Sequence, residues 1–235
     1  MKQYQQLVAI GCSFTFGHET SAPGIWREDD PSRAWPAHLG RRLGCPVVNL
    51  ARCGENNDWI YWRLSQYLLN NPLPASSLVA VQWTFFNRIM AFNPANANIN
   101  GSVSPALLSE QWVKKHIGDK FFRHYVEFLS VDPRNIISVL FHTLHLKLIL
   151  AAYGHDLIYW PAAKVDAQLP GTQHVPQEYR PQLEQFHADS LLAPGSNWEG
   201  MMFNWGRSGC HFSTSTHEHW SDLVFDYLNT GEKIA

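Results

Sequence analysis

Three short apolar runs, QLVAIG at 6–11, PVVNL at 46–50 and LVAVQW at 78–83, recur in the first part of the chain, and each gives way to a glycine or a polar turn. Runs of this length bounded by breakers read as buried strands. The segments between them carry a different period. Residues 34–43 place Trp35, Leu39 and Leu43 at helical spacing and stop at Gly44, and residues 59–69 are helical by pattern up to Asn70, Asn71 and Pro72. Strand, helix, strand, helix, strand is the rhythm of a parallel sheet covered on both faces. The expected fold is therefore an α/β domain, flavodoxin-like, in three α/β/α layers around a central parallel sheet. Such sheets bind ligands at the carboxyl ends of their strands, so the chemistry is expected in the loops after Gly11, Leu50 and Trp83.

Further along, DLIYW at 156–160 supplies a fourth strand, while helical patterns cover 106–128, 133–153 and 217–228. Gly154 ends the second of these, and the last carries Trp220, Leu223, Val224 and Tyr227 on one face. Residues 93–104, NPANANINGSVS, read as an excursion above the sheet. Residues 161–206 have few periodic features and many Pro, Gln and Gly, which reads as long functional loops. With 235 residues, 45% of them apolar, the chain can bury one sizeable core. A single domain over 1–235 is expected, with loop insertions near 18–33, 93–104 and 162–206.

Charge narrows the function classes. Eighteen Lys and Arg against 20 Asp and Glu leave a formal net charge of −2, so no global field holds nucleic acid or an anionic membrane. The apolar stretch 136–153 contains His142, His145 and Lys147 and is read as a core helix, with no membrane span expected. MKQYQQLVAIG opens with one Lys and a short apolar run, unlike a secretory signal, and a cytoplasmic location is expected. Cys12, Cys45, Cys53 and Cys210 are scattered without a CxxC pair, so neither a zinc ribbon nor a disulfide framework is expected. Ten Trp and 12 His in a chain with only 16% charged residues suit an aromatic-lined cleft. No feature of the sequence calls for a cofactor or sets an oligomeric state.

Candidate residues cluster where the fold would gather them. Ser13 sits two residues past the first strand in GCSFTFG, where Gly11 and Gly17 permit tight backbone, so it can be a nucleophile or an ordinary turn serine. Gly54 follows the second strand in NLARCGENND, where a glycine lets backbone N–H approach a substrate oxygen. Asn56, Asn57 and Asn87 lie near the same strand ends, as oxyanion donors or as turn-stabilising amides. In GCHFSTSTHEHWSDL, His211 precedes the last helix and can act as a general base, while His217 and His219 begin it. Cys210, His211, His217 and His219 could alternatively bind metal, although their spacing matches no common zinc motif and no metal is expected. Trp26 and Trp198, in the loop segments, could stack on a sugar ring.

Taken together, these pieces resemble the SGNH (GDSL-type) hydrolase superfamily, whose first block is Gly-Asp-Ser with a glycine a few residues later. The corresponding segment is Gly11-Cys12-Ser13-Phe14-Thr15-Phe16-Gly17. WPAHLGRRLGCPVVNLARCGENN is similar to the family's passage into its second block, and HFSTSTHEHWS to its His-Pro block. The resemblance implies a serine hydrolase acting on a small-molecule or glycan ester, with Ser13 as nucleophile, His211 as base and Gly54 as oxyanion glycine. Cys12 replaces the usual Asp of the first block. VQWTFFNR lacks Gly-x-Asn-Asp, so the third-block donor maps onto Asn87 only with a loop one residue longer than usual. Ser208 stands where the family has its acid, three residues before His211, and the resemblance then implies a Ser-His dyad or degenerate triad. A catalytically weak or inactive binding module, or an O-acyltransferase using the same residues, are the alternatives.

Overall fold

Residues of each strand alternate between two apolar layers, and this fixes the architecture. The computed structural model describes residues 2–18, 20, 30–86, 88–92, 100–103, 133–162, 175–194, 196–208 and 211–235. Strands β1 (Gln6–Ile10), β2 (Val47–Asn49), β3 (Ser77–Trp83) and β6 (Asp156–Pro161) form one parallel sheet in the order β2-β1-β3-β6. In register, Leu7 pairs Val47 on one side and Leu78 on the other, and Ala80 pairs Ile158. The expected fold class agrees with this sheet.

On one face Leu7, Ala9, Leu78, Ala80, Ile158 and Trp160 pack with Trp35, Leu39, Trp198, Met202, Trp220 and Val224. These come from helices α2 (Trp35–Leu43), α6 (Trp198–Trp205) and α7 (Thr214–Thr230). The other face buries Val8, Ile10, Val79, Val81 and Tyr159 under Trp59, Ile60, Leu64, Ile136, Val139, Leu146 and Leu150, from α3 (Asn57–Asn70) and α4 (Pro133–Ala152). A period of two along the strands delivers alternate side chains to the two layers. Helix α4 is long and apolar enough to cross a membrane by length and composition, and one face of it is buried in this layer.

The remaining elements depart from the sequence reading. Among its described residues, the segment expected as irregular loop holds a 3₁₀ turn (Gln177–Tyr179) and two helices, α5 (Arg180–Asp189) and α6. Helix α5 buries Phe186 alone, so it shows no apolar stripe, and α6 has eight residues, too few to display a period. Trp198 is 0% exposed and packs edge-on against Phe14, Trp160 and Trp220 at centroid distances of 5.8, 6.0 and 5.7 Å, which takes it out of any role in stacking on a sugar. Trp26 lies outside the described residues. The flanks of the expected excursion, β4 (Ile89–Phe92) and β5 (Asn100–Val103), pair antiparallel as a hairpin of their own, and 93–99 lie outside the described residues, as does the helical pattern at 106–128.

Candidate functional site

Helix α1 (Ser13–Phe16) is a single turn set directly on the end of β1, with Ser13 as its first residue and 7% exposed. Its geometry is dictated from below by Gln82, a fully buried amide in the central strand β3. The Gln82 side-chain oxygen accepts from the Cys12 N–H (3.4 Å), the Cys12 thiol (3.3 Å) and the Thr15 hydroxyl (3.2 Å), while its amide nitrogen donates to the Trp83 carbonyl (2.8 Å). Gly11 is required here. A Cβ at that position would come 2.8 Å from the Gln82 oxygen and 2.9 Å from the Thr15 Cβ. The turn closes at Gly17, at φ +90°, and the N–H groups of Gly17 and His18 both donate to the Ser13 carbonyl at 3.1 and 3.2 Å.

The second strand's loop is stitched to this turn. The Asn49 amide donates to the Thr15 carbonyl (3.0 Å), and the Arg52 N–H donates to the Gly11 carbonyl (3.4 Å). Gly54 follows at φ +78°, with open space where a side chain would point. Asn56 caps α3 by accepting from the Trp59 N–H at 2.8 Å. Asn57, expected as a possible oxyanion donor, has both ends of its carboxamide occupied: it accepts from the Thr84 N–H (2.8 Å) and donates to the Thr84 carbonyl (3.3 Å). This locks the start of α3 to the end of β3. Asn87 lies outside the described residues.

A buried carboxylate, with one buried and two exposed arginines around it, backs the same loops. Glu55 is 4% exposed, and burial raises its carboxyl from 4.5 to about 7 against the opposing pull of Arg52, Arg63 and Arg88. Arg88, itself buried, donates to the Glu55 carbonyl oxygen (3.2 Å) and lies 4.9 Å over the Phe85 ring.

At the chain's far end, β7 (Arg207–Ser208) and β8 (His211–Phe212) pair as a small antiparallel hairpin in which Ser208 faces His211 in register. The hairpin meets α1. Phe14 stacks on Phe212 at 4.4 Å and lies 5.4 Å from the His211 ring, while His18 meets His211 edge to face at 4.5 Å. Residues about 200 positions apart in sequence, Ser13 and His211, thus belong to touching elements. His217 is buried behind them, and its Nδ1 accepts from the Trp35 N–H at 3.2 Å. Burial first, then the charges of His38 and His211, push it down from 6.5 to about 3, so it stays neutral. His219 packs instead against Trp205 at 4.3 Å. Cys210, of the metal alternative, lies outside the described residues, and among the described ones no group of three or more His, Cys, Asp or Glu could hold an ion.

Comparison with known proteins rests on structure alone, since no family model and no curated protein matches the chain. A carbohydrate esterase family 2 enzyme with a carbohydrate-binding domain, from Corynascus thermopiles (Myceliophthora fergusii), superposes with a TM-score of 0.50 at 10% identity, over 97% of this chain and 67% of that one. A member of the lipolytic G-D-S-L family from Veillonella parvula gives 0.48 at 9% identity, over 96% and 99%. The chain shares the fold of that carbohydrate esterase, a parallel sheet between two helical layers. An α/β hydrolase from a Lake Arreo metagenome is similar at 0.48 and 15% identity, over 97% of both chains. In this fold the segments that carry the sequence resemblance lie at the end of β1, after β2 and in the hairpin before α7. Sequence reasoning missed Gln82, whose signal is an amide inside the apolar run LVAVQW, and His18, which stands in the same CSFTFGHE segment as Ser13.

Proposed function

We propose that this protein is a serine ester hydrolase in which Ser13 is the nucleophile and His211 the general base. The observation that carries this reading is the contact between the Ser13 turn and the His211 hairpin, through Phe14 at 5.4 Å from the His211 ring. Ser13 Oγ attacks the ester carbonyl as its proton passes to His211. The oxyanion takes the backbone N–H groups of Ser13 and Gly54, joined by the Asn87 side chain. Collapse of the intermediate expels the alcohol, which receives the proton from His211, and water repeats both steps to release the acid and restore Ser13. The carbohydrate esterase among the structural neighbours supports a glycan ester as substrate class, beside small-molecule esters.

The test uses p-nitrophenyl acetate and a serine-directed fluorophosphonate on wild type, Ser13→Ala and His211→Ala. Wild type should turn over the ester and be labelled at Ser13; Ser13→Ala should lose both, and His211→Ala should lose nearly all turnover. A folded wild type that is neither labelled nor active overturns the hydrolase reading in favour of a binding module of the same fold.

A further inference from the structure

We propose that His18 is a positioning residue for His211, a role that rests on the Ser13–His211 reading and adds a residue to it. The segment that bears the nucleophile also reaches the base. His18 follows the Ser13 turn directly, and its N–H donates to the Ser13 carbonyl at 3.2 Å, so its backbone is fixed by the nucleophile's own peptide group. Its ring then meets the His211 ring edge to face, with centroids 4.5 Å apart and planes at 87°. Phe14, from the same turn, touches the His211 ring at 5.4 Å and 60°, and is itself locked by stacking on Phe212 at 4.4 Å and 22°.

Edge-to-face pairs at this separation favour one mutual orientation of the rings. His211 therefore meets two rings carried by the segment that carries Ser13, and its imidazole turns only by breaking contact with them. Ser208, the position that the family resemblance assigns to an acid, is opposite His211 in the backbone register of the hairpin. His18, with Phe14, restrains the rotation of the His211 imidazole, so the ring that receives the Ser13 proton is held by the segment that bears Ser13. No proton passes through His18. The Ser13 proton goes to His211 and from there to the leaving alkoxide.

The experiment compares wild type, His18→Ala and His18→Phe, each checked for folding, by p-nitrophenyl acetate kinetics and by ¹⁵N–¹H correlation of the histidine side chains. Losing the ring contact misplaces the base, so His18→Ala should lower kcat by about tenfold with KM nearly unchanged, and His18→Phe, which keeps a ring, should recover most of the loss. The His211 side-chain signals should be sharp in wild type and His18→Phe, as for a ring held in one orientation, and broadened or shifted in His18→Ala. An active wild type with unchanged kcat and unchanged His211 signals in His18→Ala overturns this role alone, as does a His18→Phe variant impaired as deeply as His18→Ala. A folded wild type without turnover or Ser13 labelling removes the Ser13–His211 reading and this role together.

Discussion

Gly54 holds a left-handed backbone at φ +78° with nothing in the space a side chain would fill, so substitution there costs backbone conformation and no packing. That cost is about 1–2 kcal/mol for a residue with a Cβ. Gly54→Val keeps the N–H but disfavours the left-handed φ that aims it. A folded protein with a lowered Tm is therefore expected, and on the proposed reading turnover falls by about 10²–10³ as the backbone leaves that region, the magnitude of one lost oxyanion donor. Unimpaired turnover would mean that another group supplies the donor. Glu55 makes a different statement, about pH. Its carboxyl is raised from 4.5 to about 7 by burial, so the folded state holds the proton more tightly than the unfolded chain does. The stability this contributes is complete below about pH 4.5 and is lost as pH rises through about 7. Urea midpoints measured from pH 5 to pH 8 should decline in wild type relative to Glu55→Gln; parallel curves would show that Glu55 is solvated. Ser13 and Gly54 were legible because both stand just past the end of a recognisable strand. Glu55 was not, since GENND is polar throughout and nothing in it announces that a carboxylate is buried against three arginines.

The start of α3 and the end of β3 act as one piece through the two hydrogen bonds between Asn57 and the Thr84 backbone. Asn57→Leu leaves the buried Thr84 N–H and C=O without these partners, a loss of about 1–3 kcal/mol that thermal unfolding should register. Asn57→Asp keeps the acceptor for the Thr84 N–H and should lose less. Equal stability of Asn57→Leu and wild type would show that the link carries no weight. The four sheet strands could be read in advance because burial on both faces leaves a continuous apolar run, and α2, α3, α4 and α7 because each has an apolar face long enough to repeat. Helices α5 and α6 could not, one being too polar and the other too short. Trp198 was misplaced for the same reason: without a helix to put it on, a tryptophan in a Pro- and Gly-rich stretch looks like a loop residue, whereas α6 turns it into the layer beneath Phe14 and Phe212.

The two apolar layers meet the site from opposite sides, and one of them encloses a neutral imidazole. Because His217 is depressed from 6.5 to about 3 by burial, the unfolded chain takes up a proton that the folded protein refuses. The stability contributed is complete above about pH 6.5 and is lost as pH falls towards 3, so acid unfolding should be shallower in His217→Gln, whose side-chain oxygen can still accept from the Trp35 N–H. Identical acid profiles would place the acid-sensitive group elsewhere. Architecture was the most legible level, since parallel pairing follows from strands that alternate with helices, but long-range pairings such as His18 with His211 depend on a hairpin whose two-residue strands leave no mark on the sequence. That pairing also has a consequence in time. A domain folds as a unit, once its distant segments have been made. A growing chain carries Ser13 about 200 residues ahead of His211, so the two touching elements cannot meet until the later one has been made. On the proposed reading the nascent polypeptide until then holds its serine without its base, and ester cleavage waits for the hairpin.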